Sequence, residues 1–228
     1  MIKRLAKKLK HVLRSRGYDI VRHKELSELL ALHCVDIVLD IGANDGGYAT
    51  ELRQSGWSGP VVSFEPQPAT FGRLKQRFAH DAQWSGHQIG LGSENSLLKM
   101  NIHETDVLSS FLQKIETSDN ARQVEVEVKR IDGILDGILG TRSRPFVKID
   151  TQGFELEIIK GFGSRAGGVI GWQLEMSVEP LYHDQPKIEE VIGLMRGLGF
   201  SLWKILPGLR DPKTLQSFEF DGIFFRNE

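Results

Sequence analysis

The stretch that most narrows the choice of fold is VLDIGANDGGYATELRQSG, residues 38–56. An apolar run, Ile37-Val38-Leu39, ends in Asp40, and Gly42, Gly46 and Gly47 follow before a segment with helical spacing. This order predicts strand, tight turn, helix. Turns of this kind bring backbone N–H groups and a helix N-terminus up to a ligand. Dinucleotides, P-loop phosphates and sulfonium nucleosides are the ligands that use them, and each asks for different residues.

The rest of the chain supports an α/β reading. From Val35 onward strand-like runs alternate with helix-like ones: residues 37–40, a helix from about Gly47, residues 61–65, a helix from about Ala69, then a third short strand near 87–91. That alternation implies a parallel sheet covered by helices. The second helix carries Phe71, Leu74 and Phe78 on one face, with Arg73, Lys75, Gln76 and Arg77 between them. Gly56 stands where the first helix should stop. Segments 97–103 and 123–131 change period. The second sets Val124, Val126 and Val128 against Glu125, Glu127 and Lys129, as a strand with one wet face does, so the pair is expected to form a small antiparallel insertion. Alternation resumes with FVKID (146–150), a helix near 155–160, VIGWQLEM (169–176) and a helix over 186–198. Two strand-like runs, 200–205 and 218–226, close the chain. The four tryptophans are scattered and read as core or edge packing.

Charge adds little globally but much locally. With 29 basic and 30 acidic residues among 228, nothing draws the whole chain toward nucleic acid, which is not an expected partner. The single cysteine, Cys34, cannot form an intramolecular disulfide, as suits a reducing compartment. No apolar run of about 18 residues is present, and charges run through the N-terminal segment, so a cytoplasmic location is expected. Residues 1–34 read as a basic helical extension. In residues 1–16, Ile2, Leu5, Leu9 and Val12 or Leu13 share one face while Lys3, Arg4, Lys7, Lys8 and Lys10 crowd the rest. Such a helix suits peripheral contact with an anionic membrane, or packing of its apolar stripe on the domain.

The glycine turn separates its candidate ligands. A dinucleotide fingerprint starting at Gly42 needs glycine at position 44, where the backbone comes closest to the pyrophosphate, but Asn44 stands there. A P-loop needs Gly-Lys-Ser/Thr, and Gly46-Gly47-Tyr48 offers no cation. A sulfonium nucleoside remains. Asp40 can hold its ammonium group directly or through water, and Glu65, at the end of the second strand, can accept from both ribose hydroxyls. The same two residues could instead cap a helix and face solvent.

At this point the chain resembles the FkbM-type S-adenosylmethionine-dependent methyltransferases. The likeness runs from about Val35 to Arg226 through DIGANDGGY (40–48), FEPQP (64–68), the Ser109-Ser110 pair, KIDTQGFE (148–155), LEMS (174–177) and FDGIFFR (220–226). It implies a class I methyltransferase fold, α/β and Rossmann-like, over residues 35–228. The expected sheet is mostly parallel and seven-stranded, with an antiparallel last strand. It implies S-adenosylmethionine as cofactor, lined by Asp40, Gly42, Ala43, Asn44, Gly46, Glu65, Pro66, Gln67 and Gln88. Two positions depart from the family pattern: relatives commonly carry an acid at Gln152 and an asparagine at Gln67. The resemblance also implies methyl transfer to oxygen, on a sugar, glycan or other secondary metabolite.

An alcohol acceptor loses its proton as the new bond forms, so a carboxylate or histidine beside the cofactor serves as general base. Such groups lie at the carboxyl ends of the strands. Asp150 is the first candidate, with Lys148 on the same strand face, although the two also read as a structural ion pair. Glu175 and His183 are the next candidates, against a loop cap and a surface histidine. Asp150, Glu175 and His183 are residue types that bind metals, but nothing in their spacing favours an ion and none is expected. Two rivals stand beside this reading: a nucleotide-sugar or NAD-linked oxidoreductase on a similar sheet, and a non-catalytic module that binds S-adenosylmethionine. Oligomeric state is not legible.

Overall fold

The computed structural model describes residues 12–16, 25–102, 110–112 and 122–227. The amphipathic segment 1–16 therefore lies, apart from its last five residues, outside the described residues, and so does Ser109. Ten strands are described: β1 (Ile37–Ile41), β2 (Val61–Phe64), β3 (Trp84–His87), β4 (Gly90–Leu91), β5 (Ser96–Ile102), β6 (Arg122–Lys129), β7 (Pro145–Ile149), β8 (Gly171–Ser177), β9 (Phe200–Pro207) and β10 (Glu219–Arg226). Six α-helices accompany them: α1 (Glu25–Leu32), α2 (Gly47–Ser55), α3 (Pro68–Arg77), α4 (Leu135–Leu139), α5 (Glu155–Phe162) and α6 (Ile188–Gly197).

Seven strands form one sheet in the order β3-β2-β1-β7-β8-β10-β9. Every pairing from β3 to β8 is parallel, while β10 runs antiparallel to both β8 and β9. The last strand in the chain is thus inserted beside the edge. β1 and β7 are buried along their whole length, as strands covered on both faces must be, which explains their nearly unbroken apolar sequences. Trp172, on β8, has no exposed surface and packs edge-on against Phe162 of α5 and Phe200 of β9. On the opposite face α1 joins the core, with Leu30 fully buried.

Local chemistry sets the helix ends. Gly56 closes α2 in the left-handed conformation, and its N–H donates to the Arg53 carbonyl. Pro68 opens α3, where a missing N–H costs nothing. Acids Glu155 and Glu157 occupy the first turn of α5, next to the positive end of its dipole.

Two expectations need correction. The run near 87–91 is not one strand: β3 ends at His87 and pairs with β2, while Gly90–Leu91 belongs to a separate three-stranded sheet, β4-β6-β5. Nor is that small sheet wholly antiparallel. β5 and β6 pair antiparallel over residues 96–102 and 122–128, but β4 lies parallel to β6. The physical reason is the pair Gln88-Ile89, where the chain leaves the main sheet for its neighbour.

Candidate functional site

The chain runs from β1 outward to β2 and β3, then returns to β7 on the other side of β1. The crevice at the carboxyl ends of β1 and β7 is therefore the switch point where open α/β sheets bind ligands. Gly42 and Asp150 follow those two strand ends. Gly42 has φ +74°, and a Cβ there would stand 1.9 Å from the Asp150 carbonyl oxygen, so only glycine fits. Asn44 also takes the left-handed region, at φ 48°, which asparagine tolerates better than most residues.

The turn is tied to Glu65. Asn44 N–H donates to Glu65 Oε2 at 3.0 Å, and Gln67 N–H donates to Glu65 Oε1 at 2.8 Å. Each oxygen keeps a lone pair for another donor. Burial raises this carboxyl from the usual carboxylate range to about 7, against the two backbone donors, which favour the ionised form. Glu65, Asn44, Pro66 and Gln67 line a cleft whose other walls include Phe64, Ile89, Leu91, Met100 and Phe111. A buried acid beside an apolar slot offers the two kinds of contact that a nucleoside uses, an acceptor for hydroxyls and an apolar wall for a flat base.

On the other side of the turn lies a second cavity. Gly42, Asn44 and Asp150 border both. Asp150 is the acid that borders both, with 42% of its side chain exposed, and its Oδ2 lies 3.3 Å from Lys148 Nζ. Lys148 is buried and also stands 3.5 Å from Asp40 Oδ1 and 3.3 Å from the Gly42 carbonyl oxygen, to which it donates. Burial alone would lower the Lys148 pKa, but Asp150, Asp40 and Asp221 outweigh it and hold the ammonium protonated. Burial raises Asp40, and Lys148 offsets part of that rise.

The loop after Asp150 is braced from within. Glu155 accepts from the Thr151 and Gly153 N–H groups and from the Thr151 hydroxyl. Gln152, at φ 56°, donates its amide to both oxygens of Glu175 at 3.1 and 2.9 Å and to Asp150 at 3.4 Å. Its side-chain oxygen accepts from Tyr182, and its carbonyl accepts from the Ser110 hydroxyl. Burial, then Asp150 and Glu155, push Glu175 well above the usual carboxylate range.

These placements redistribute the candidates. Gly42, Asn44, Glu65, Pro66, Gln67 and Asp150 meet at the cleft. Asp40 is fully buried and borders neither cavity, because the ammonium beside it is the chain's own Lys148. Ala43 is buried and borders only the second cavity. Gly46 borders neither: a Cβ there would strike the Phe78 ring at 2.5 Å, so its role is to let α3 pack on the turn. Gln88 faces a different groove, with His87 and Lys129, and Ile89 is the residue of that segment that reaches the cleft. Glu175 braces the Asp150 loop through Gln152 without bordering either cavity. His183 is exposed and borders neither. Among the described residues no three His, Cys, Asp or Glu side chains are grouped to hold a metal ion. Sequence reasoning missed Tyr48, Gln173 and Asp221, which border the second cavity from three different elements. Gln173 and Asp221 were signalled only as polar residues in largely apolar strands, and Tyr48, in a helix of mixed composition, by nothing local.

The strand order, the glycine turn and the acid after β2 define a class I S-adenosylmethionine-dependent methyltransferase fold and site. The model of the methyltransferase FkbM domain matches residues 40–202, and the chain belongs to that family. It is 23% identical over 142 residues to Methyltransferase 1 of Beauveria bassiana (strain ARSEF 2860), covering 54% of this chain and 57% of that protein. It is 26% identical over 171 residues to Methyltransferase sdnD of Sordaria araneosa, covering 59% of this chain and 66% of that one. The chain thus spans less than two thirds of either relative. Among solved structures, a putative S-adenosylmethionine-dependent methyltransferase from Listeria monocytogenes matches at a TM-score of 0.50 and 7% identity, over 90% of this chain and 97% of that one. The methyltransferase FkbM from Methylobacillus flagellatus KT matches at 0.48 and 16%, over 82% of this chain and 43% of that one. The cofactor is S-adenosylmethionine, as the family implies.

Proposed function

We propose that this chain transfers a methyl group from S-adenosylmethionine to a hydroxyl oxygen of a sugar, glycan or similar secondary metabolite. The observation that carries this reading is the place of Asp150, an accessible carboxylate on the wall shared by the cleft beside Glu65 and the second cavity. When bound, S-adenosylmethionine supplies an electrophilic methyl carbon, whose bond to sulfur breaks as the acceptor oxygen bonds to it, leaving neutral S-adenosylhomocysteine. Glu65 holds the ribose hydroxyls, and the Gly42 turn lets the backbone approach the methionyl part. Asp150 accepts the hydroxyl proton as the oxygen attacks, and Lys148 stabilises the wall behind it. Gln152 and Glu155 hold the loop that aims Asp150 and touch no reacting atom.

The test is formation of S-adenosylhomocysteine across a panel of glycosides and nucleotide sugars, with the methylated atom located by NMR. Methylation at oxygen is expected. Methylation at nitrogen or carbon, or cofactor binding with no turnover on any acceptor, overturns the reading.

A further inference from the structure

The second cavity has a volume of about 540 Å³, within the range of about 300–1,000 Å³ that small-molecule sites span. Across the sheet, register sets Lys148 beside Gln173, Gln173 beside Ile223, and Ile223 beside Lys204, and all four border the cavity. Two polar atoms here have no hydrogen-bond partner among the described residues: Gln173 Oε1 and Tyr48 Oη. Gln173 is 5% exposed, and its Nε2 donates to Asp221 Oδ2 at 3.1 Å. A carboxylate oxygen accepts, so the amide nitrogen must face Asp221 and the amide oxygen is left for something else. A buried acceptor left unpaired is costly, which points to a ligand that donates to it.

The charges narrow the chemistry of that ligand. Four acids border the cavity, Asp45, Glu51, Asp150 and Asp221, against Lys148 and Lys204. Asp45 is paired with Arg77, and Lys148 is held between Asp40 and Asp150. Little cationic surface remains for a phosphate or carboxylate, which argues against an anionic acceptor. Three of the acids are likewise occupied, Asp45 by Arg77, Asp150 by Lys148 and Asp221 by the Gln173 amide, which leaves little free negative charge for an amine. Leu206, Pro207 and Ile223 add an apolar wall.

We propose that this cavity is the acceptor site and that it takes a neutral polyhydroxylated ring, its hydroxyls bonding Gln173 Oε1 and Tyr48 Oη and its C–H face resting on Leu206. This rests on the methyltransferase reading above, and it makes Gln173 and Tyr48 determinants of acceptor specificity, with Asp150 at the boundary toward the cofactor.

The chain saturated with S-adenosylhomocysteine should be titrated with methyl glycosides of a neutral hexose, a hexuronic acid and an amino hexose, with binding read by saturation-transfer NMR. The neutral glycoside should bind best. Gln173→Leu and Tyr48→Phe should each weaken it about tenfold, as loss of a hydrogen bond does, while S-adenosylhomocysteine affinity by calorimetry stays within about twofold. Leu206→Trp, on a part-exposed wall residue, should block the glycoside without touching Gln173 or Tyr48. Tighter binding of either charged glycoside, no glycoside binding, or binding that survives all three substitutions overturns the proposal. Failure of S-adenosylhomocysteine to bind would instead count against the cofactor assignment, so the two ideas fail separately.

Discussion

Lys148 Nζ lies 3.3 Å from Asp150 and 3.5 Å from Asp40, so one buried ammonium joins the end of β7 to the end of β1 beneath the glycine turn. Asp40 has no exposed surface, and its carboxylate depends on that partner. The pair holds the two strand ends that carry Gly42 and Asp150 while keeping Asp150 open to both cavities.

Removing the cation should therefore be costly. Lys148→Met is expected to destabilise the fold by about 3–5 kcal/mol at neutral pH, the usual cost of stranding a buried charge. Without Lys148, Asp40 rises further above its unfolded value, so the loss should shrink as pH falls and Asp40 takes a proton. Urea unfolding at two pH values checks this, and adding Asp40→Asn should restore part of the stability. An equal loss at both pH values would speak against Asp40 as the stranded group.

Glu65 should make cofactor affinity depend on pH. Its carboxyl stands at about 7 in the free protein, against 4.5 when unperturbed. The ionised form accepts from both ribose hydroxyls, so affinity for S-adenosylhomocysteine should rise with pH through about 7 and then level off, with proton uptake reversed as the ligand binds. The raised pKa itself works against folding stability above the unfolded value, so the gain belongs to binding alone. Calorimetry from about pH 6 to about pH 8 measures the step, and Glu65→Gln should abolish it and weaken binding.

Asp150→Asn keeps the shape of the side chain but removes its basicity. Turnover should fall by roughly 10²-fold or more, with cofactor affinity little changed. Stopped turnover assays and calorimetry on the same preparation separate the two effects. Joint loss of both would place Asp150 in the cofactor shell.

Gln152 is the neutral member of an acidic neighbourhood, donating to Glu175 and Asp150. Gln152→Glu replaces those donors with a further carboxylate and should cost about 1–3 kcal/mol. The new acid, like Glu175, would be raised by burial and by neighbouring carboxylates. Stability should then fall further as pH rises, and denaturation at about pH 5 and about pH 8 should show the larger loss at the higher value.

Much of this protein was legible in its sequence because the signals are local. Strand and helix periods, the Gly56 helix stop, the turn at Gly42 and the acid at Glu65 follow from sterics and spacing within a few residues, and they led to the right fold, while the family came from the likeness of the linked motifs. What the sequence left open depended on register and on where one element ends. Asp40 and Lys148 are 108 positions apart, and only the pairing of β1 with β7 sets them side by side, filling with the chain's own ammonium the place expected for a ligand's. Gln88 borders only a neighbouring groove, while Ile89 borders that groove and the cleft, because β3 stops at His87 and the chain turns toward a second sheet. Tyr48, Gln173 and Asp221 come from a helix and two strands that meet only when the sheet assembles, and no local pattern marks a cavity whose walls are that far apart in the chain.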